Sequence, residues 1–227
     1  MRTFGRLVFL IPLLFAVPAS VAHADEIFVG DHISFERGEG QAGGGGFIAT
    51  LNNTPEDTFL TFCLQARTPM EFGEMYTVGG LSTYAETDEP IFGGNAVGHD
   101  DLSSQTAWLY TQLRLGTLDG WDNSMTANDA FQWAVWTLED EFPEVQPDMY
   151  WTDLANHFIN LANQAVQNGF TGLGNVRVIN LVSLDGQDAQ DQLAYVTTPE
   201  PPTIALLVCG LFGLGVTRRR WLAATTR

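Results

Sequence analysis

Residues 126–142 read TANDAFQWAVWTLEDEF and carry the clearest helical pattern in the chain. Apolar residues recur there at intervals of three and four, which places them on one face of a helix. The face consists of Phe131, Val135, Leu138 and Phe142. Thr126 followed by Asp129 resembles a capping box, and Pro143 is expected to end the helix. The segment therefore predicts a central amphipathic helix.

Helices and strands follow each other in blocks on either side of this segment. Residues 102–115 and 148–168 also show helical spacing, and each is followed by a glycine that suits a helix C-terminus. Residues 82–100 lack a period and indicate a loop. Strands are predicted at residues 26–36, 47–51, 58–65, 75–78, 176–184 and 192–197. This order predicts an α+β fold, a mixed antiparallel β-sandwich or barrel-like body with a helical insert.

The composition limits the class of protein. The chain has 227 residues, of which 45% are hydrophobic and 11% aromatic, enough for the core of one domain. Its formal net charge is −17, and all 27 acidic residues lie between residues 25 and 200. Such an acidic chain argues against nucleic acid as a partner, because phosphate binding needs basic side chains. Two cysteines are too few for a disulfide-rich scaffold.

The N-terminus has the three parts of a secretory signal peptide. Basic residues precede an apolar run over residues 7–17, and Ala22 and Ala24 form a cleavage site of the A-x-A type. We expect signal peptidase to remove residues 1–24, so that the mature chain begins at Asp25. The remaining chain is then exported across the inner membrane.

The C-terminus combines a proline motif, an uncharged apolar stretch and an arginine cluster. The apolar stretch predicts a short membrane-spanning segment, and the arginines after it are expected to stay on the cytoplasmic side. The acidic body then faces outward. The three parts are Pro199, Glu200 and Pro201, then residues 203–217, then Arg218, Arg219 and Arg220.

Residues 198–227 as a whole resemble the PEP-CTERM sorting signal of Gram-negative bacteria. The resemblance implies an exosortase-type membrane enzyme as a partner, which would cleave near the motif. The protein would be anchored in the membrane first and then reach the cell envelope or the extracellular matrix. Families with this tail belong to bacteria that make extracellular polysaccharide. Residues 25–197 remain as one acidic exported domain.

Cys63 is the one cysteine between the two terminal segments, because Cys209 lies in the apolar tail. A single cysteine in an oxidising compartment has no intramolecular disulfide partner. Three alternatives remain open for it: a buried inert residue, a disulfide to another chain, or a thiol that takes part in a reaction. Gln132 also has a purely structural alternative, in which it is a polar helix residue that hydrogen-bonds to a neighbouring strand.

The segments around these two residues resemble the thioester domain of bacterial surface adhesins. In that family a cysteine on an early strand is joined to the glutamine of a Thr-Gln-x-Ala-Ile-Trp motif on a helix. Gln132, Ala134 and Trp136 match this motif, whereas Phe131 and Val135 stand where the family has threonine and isoleucine. The resemblance spans roughly residues 60–140 and implies a Cys63–Gln132 thioester.

The chemistry of such a bond sets conditions on the fold. A thiolate is the nucleophile, and a glutamine amide is a weak electrophile, so the two need enforced contact and a stabilised oxyanion. We expect Phe62, Trp133 and Trp136 to shield the bond from water. An amine from a partner would open it and become attached to Gln132. The chain has no lysine that could consume the bond, although a high-GC genome or a preference for arginine is the better explanation of that absence.

Other candidate sites are less specific. No resident cofactor is predicted, although carboxylates can hold Ca²⁺ and two acidic clusters occur in predicted loops. These are Asp100 and Asp101 with His99, and Asp185, Asp188 and Asp191. No zinc motif occurs among the scattered histidines. A glycosidase-like carboxylate pair could be drawn from Glu139, Asp140, Glu141 and Glu144.

The sequence therefore predicts a non-enzymatic, envelope-sorted surface or matrix protein acting in adhesion, with a self-formed thioester as its reactive group. The first alternative is a structural or carbohydrate-binding matrix component, for which exposed tryptophans would serve as sugar platforms. The second is a secreted hydrolase that uses the acidic residues.

Overall fold

The computed structural model describes residues 25–41, 45–86 and 98–196. The predicted signal peptide, the sorting motif, its apolar stretch and the arginine cluster lie outside these residues. In the described part, no helix is long and apolar enough to cross a membrane. In chain order the elements of the described part are β1 His32–Arg37, β2 Phe47–Leu51, β3 Thr58–Thr61, β4 Met75–Ser82, β5 Tyr84–Ala85, β6 Asp100–Asp101, α1 Ser104–Arg114, α2 Met125–Leu138, α3 Thr152–Gln167, β7 Val176–Ser183 and β8 Asp188–Tyr195.

The α+β class is confirmed, with a mostly antiparallel sheet and the three helices between β6 and β7. The main sheet has the order β3-β2-β1-β4-β7-β8, and each of these pairs is antiparallel. In β2 buried and half-buried residues alternate, as expected for a strand with one face on the core. In β8 six consecutive residues are buried, because α1 packs across β7 and β8.

The two edges of this sheet meet just after β3. Leu193 N–H donates to the Phe62 carbonyl at 3.0 Å, and Leu64 N–H donates to the Asp191 carbonyl at 3.1 Å. Cys63 therefore lies opposite Gln192 in an antiparallel bridge. These bonds fix the backbone of Cys63 from both sides of its peptide unit.

Helix α2 differs from its prediction at both ends. Its N-cap is Ser124, whose side chain accepts the Ala127 N–H, so the predicted Thr126–Asp129 capping box is wrong. The helix ends at Leu138, and Asp140 follows with a positive φ of 59°, well before Pro143. Residues 127–136 are all buried, so α2 is enclosed on every side and is not a surface helix with one apolar face.

The strand boundaries also differ from the sequence pattern. β1 begins at His32 and not at residue 26, because a turn precedes it in which Gly30 has φ 97° and Asp31 accepts the Phe28 N–H. β4 extends to Ser82, and β8 begins at Asp188. The predicted 82–100 loop contains the short strand β5 and the first residue of β6. Strand Phe47–Leu51 is confirmed at both ends.

Candidate functional site

The structure brings Cys63 and Gln132 into direct contact. The Cys63 Sγ lies 3.3 Å from the Gln132 Oε1, and the Gln132 Nε2 donates to the Cys63 carbonyl at 2.8 Å. Both residues have 0% exposure, and 69 positions of sequence separate them. The hydrogen bond of the Gln132 nitrogen thus holds the side-chain amide against the thiol, and such enforced contact is what a weak electrophile requires.

Two backbone N–H groups converge on the oxygen of the same amide. Cys63 N donates to Gln132 Oε1 at 3.1 Å, and Gly45 N donates to it at 3.3 Å. Two fixed donors on one carbonyl oxygen are the arrangement of an oxyanion hole, since they stabilise negative charge that develops during attack on the carbon. Gly45 was not among the predicted site residues.

A glycine-rich segment carries the second of these donors. Gly45 has φ 115°, a conformation that side chains disfavour, and a Cβ added at Gly46 would lie 2.1 Å from Asn128 Oδ1. Only glycine can bring the backbone this close to α2. A glycine run in a sequence suits a flexible loop equally well, so the pattern alone does not predict the contact of Gly45 and Gly46 with the site.

Asp129 of α2 holds this segment in place. Its carboxylate is buried, accepts the Gln41 N–H at 2.7 Å, and is hydrogen-bonded at its other oxygen to the Tyr150 hydroxyl. The sequence predicts Asp129 as part of a capping box with Thr126, three residues before it. Its actual role is to tie the glycine segment and Tyr150 to α2.

The surroundings of Cys63 keep its thiol protonated. Burial raises the thiol pKa far above its ordinary value, and the negative charge of Glu141 raises it further. The backbone N–H of Cys63 and the indole N–H dipole of the nearby Trp136 act in the opposite direction and are outweighed. The neutral thiol points its proton toward Gln132 Oε1, so any attack on the amide carbon must move that proton as the S–C bond forms.

The three predicted shielding residues are all buried, but they occupy different places. Trp136 lies beside the thiol, whereas Trp133 packs into a separate aromatic cluster, with its ring centroid 6.2 Å from Trp151 and 4.8 Å from Phe142. Phe62 neighbours Cys63 on an extended backbone, where successive side chains point to opposite faces. Its ring packs against Phe131 at 4.3 Å.

The acidic residues singled out by the sequence have structural roles. Asp191 is buried in β8 and not in a loop, and it accepts hydrogen bonds from Asn180 Nδ2, Leu181 N and Glu86 N. Glu141 accepts the Ala66 N–H at 3.1 Å. Among the residues described, no three His, Cys, Asp or Glu side chains converge to hold a metal ion, and Ca²⁺ binding stays a prediction.

Glu139 caps helix α1 from a neighbouring element. It accepts from Ser103 N at 3.1 Å and from Ser103 Oγ at 2.6 Å, and burial raises its pKa to about 7. The folded chain therefore holds the proton more tightly than the unfolded chain, whose glutamate has a pKa of about 4.3. This contribution to stability is full below pH 4 to 5 and is lost as the pH rises to about 7.

We expect Glu139→Gln to flatten this pH dependence. The amide keeps an acceptor for Ser103 N and gains a donor for Ser103 Oγ, while the cost of an ionised buried group disappears. The variant should gain on the order of 1–3 kcal/mol in unfolding free energy at pH 8 relative to pH 5, measured by urea titration. Glu144→Gln, an exposed change nearby, is the control, and equal slopes for the two variants would contradict the assignment.

Comparisons of the chain with protein-family models, with curated proteins and with solved structures find no match.

Proposed function

We propose that this protein is an exported, envelope-sorted surface protein whose body forms an internal thioester between Cys63 and Gln132 and uses it to acylate amines of a partner. The observation that carries the proposal is the buried contact of thiol and amide, with two backbone N–H groups on the amide oxygen. These donors lie on the one oxygen that becomes negatively charged when the thiol attacks the amide carbon, so they would stabilise that charge.

Thioester formation balances as follows. The Cys63 sulfur bonds to the Gln132 Cδ, the Cδ–Nε2 bond breaks, and the thiol proton leaves with the nitrogen as ammonia. The N–H groups of Cys63 and Gly45 stabilise the tetrahedral oxyanion between these steps. In the second reaction a partner amine bonds to Cδ, the Cδ–S bond breaks, and one amine proton passes to the sulfur.

Export and sorting belong to the same proposal, together with the barrel-like form of the body. Residues 1–24, which resemble a signal peptide, support export, and residues 198–227, which resemble a PEP-CTERM tail, support sorting. The described body is compatible with them, since Asp25 pairs with Val196 in a bridge and its carboxylate forms an ion pair with Arg114 at 2.6 Å. Both ends of the described chain thus leave the body at one place.

Intact mass of the secreted protein tests the thioester. We expect a mass about 17 Da below that of the free thiol and amide, and a gain of about 31 Da on exposure to methylamine. The measurement is made on acid-quenched protein, and tryptic peptides locate the adduct on Gln132. Cys63→Ala is the control, in which both mass changes should vanish. Full mass in the folded wild-type protein would end the proposal.

The alternative without reactive chemistry is a matrix component in which the Cys63–Gln132 contact is structural. Carbohydrate stacking would have to use Trp108 or Trp121, which are half-buried, because Trp133, Trp136 and Trp151 are each at most 6% exposed. The same mass measurement separates the two proposals, because the alternative expects the thiol and the amide to persist.

A further inference from the structure

We propose that a cavity beside the Cys63–Gln132 pair is the acyl-acceptor site and that it selects primary amines that also carry a carboxylate. This inference rests on the proposed thioester and names the class of amine that would open it. The cavity has a volume of about 310 Å³, and its lining includes Arg37, Phe47, Arg67, Met70, Phe72 and Gln190.

Two stretches of chain connect this cavity to the reacting pair. Phe47 lines the cavity two residues after Gly45, whose N–H donates to Gln132 Oε1. Ala66 lines it three residues after Cys63. At about 3.3 Å per extended residue, these connections put Phe47 at most about 7 Å from Gly45 and Ala66 at most about 10 Å from Cys63 along the backbone. An amine of a bound molecule can span such a distance.

The cavity concentrates positive charge on an acidic body. Two of the four arginines between residues 25 and 200, Arg37 and Arg67, line this cavity. The charge of Arg67 also reaches Glu141, so Arg37 supplies the larger part of the positive charge that attracts an anionic group here.

Arg37 is arranged to bind a carboxylate. Its guanidinium carbon lies 4.9 Å from the centroid of the Phe72 ring, a cation–π contact that holds the group by its face. The N–H donors of a guanidinium lie in its plane and so stay directed outward, where they match the two oxygens of a carboxylate. The charge of Arg67 also acts on Glu141, whose pKa it lowers against the larger effect of burial.

Gln192 supplies an acceptor for the amine itself. It is fully buried and lies opposite Cys63 in an antiparallel bridge, so the two side chains share a face of the sheet. Its Nε2 is directed toward Gln190 Oε1 at 3.3 Å and Met70 Sδ at 3.8 Å, both from residues that line the cavity. Its Oε1 has no hydrogen-bond partner in the described part of the chain.

A buried acceptor without a partner is costly unless a ligand satisfies it. Gln192 lies opposite Cys63 and contacts the cavity-lining Gln190 and Met70, so its Oε1 can accept one N–H of an arriving neutral amine. The lone pair of that amine then attacks Gln132 Cδ, the Cδ–S bond breaks, and a second amine proton passes to Cys63 Sγ. The carboxylate of the same molecule stays on the arginines.

Matched pairs of amines test this inference on the thioester form of the secreted protein. We compare β-alanine with propylamine and 6-aminohexanoate with hexylamine, following adduct formation by intact mass over time. At least one carboxylated amine should react about tenfold faster than its partner without a carboxylate, the advantage of a charge-assisted contact. In the double variant Arg37→Ala with Arg67→Ala this preference ratio should fall about tenfold.

Two further variants keep the test selective. Arg177→Ala, an arginine outside the cavity, should leave the preference ratio of the wild-type protein in place. Gln192→Leu should slow adduct formation with all four amines. A wild-type protein without any preference, or a ratio that the double variant leaves intact, would overturn the acceptor site while the proposed thioester stands. A protein that never loses ammonia would overturn the proposed function itself.

Discussion

Replacing Phe131 by threonine, the residue of the thioester-domain motif, is expected to destabilise the protein by about 3–5 kcal/mol. Phe131 is fully buried, and its ring centroid lies 4.3 Å from Phe62, 5.6 Å from Trp121 and 6.2 Å from Phe158. Threonine would leave a cavity among these rings and place a hydroxyl in an apolar environment. For a domain of this size the loss corresponds to a drop of roughly 6–20 °C in Tm.

Met125→Ala provides the matched control for Phe131→Thr. Met125 lies on the same helix and is 38% exposed, so its truncation should cost well under 1 kcal/mol. Thermal unfolding followed by far-UV circular dichroism measures both changes. If Phe131→Thr cost no more than Met125→Ala, the aromatic cluster would not be the centre of the core.

Gln132→Glu is expected to have the second large effect, and the effect should depend on pH. The Gln132 Nε2 donates to the Cys63 carbonyl at 2.8 Å, and a carboxylate oxygen in its place would face that carbonyl without a proton between them. An ionised carboxylate at 0% exposure costs several kcal/mol, so we expect a loss of about 3–5 kcal/mol at pH 8.

The sign of the pH dependence follows from burial. Burial raises the pKa of the new carboxyl in the folded state, so the protonated acid restores the donor and the protein regains stability as the pH falls toward 5. Urea titration at both pH values measures the change, with Gln164→Glu on the exposed face of α3 as the control. A variant as stable as wild type at pH 8 would show that Gln132 is not enclosed. The variant also has no amide from which ammonia can leave.

Local patterns in the sequence were sufficient to predict which segments form helices and which form strands. The three helices follow from apolar spacing of three and four residues, and β2 from apolar residues flanked by glycines and by an Asn-Asn-Thr-Pro turn. The boundaries were less accurate. A side-chain cap at Ser124 and the positive φ of Asp140 set the limits of α2, and neither is marked by hydrophobic periodicity.

Half of the site was visible in the sequence. Cys63 and Gln132 were selected because a motif resemblance joined them, together with Trp136, which lies beside the thiol. Gly45, Asp129 and Gln192 were not selected for their roles at the site, since glycine, aspartate and glutamine are common at turns, caps and strand faces. Their importance depends on which distant atoms they reach, and no local pattern records that.

By itself, the sequence determined the acidic composition of the body, the α+β class and the presence of one cysteine between residues 25 and 197. Those properties follow from residue counts and from periodicities that span a few turns or strand residues. The contact between Cys63 and Gln132, the donors on its oxygen and the cavity beside it were decided by tertiary structure alone. They join residues about 70 to 130 positions apart, which come together only when Gln132 of α2 reaches the point where the edges of the sheet meet at Cys63.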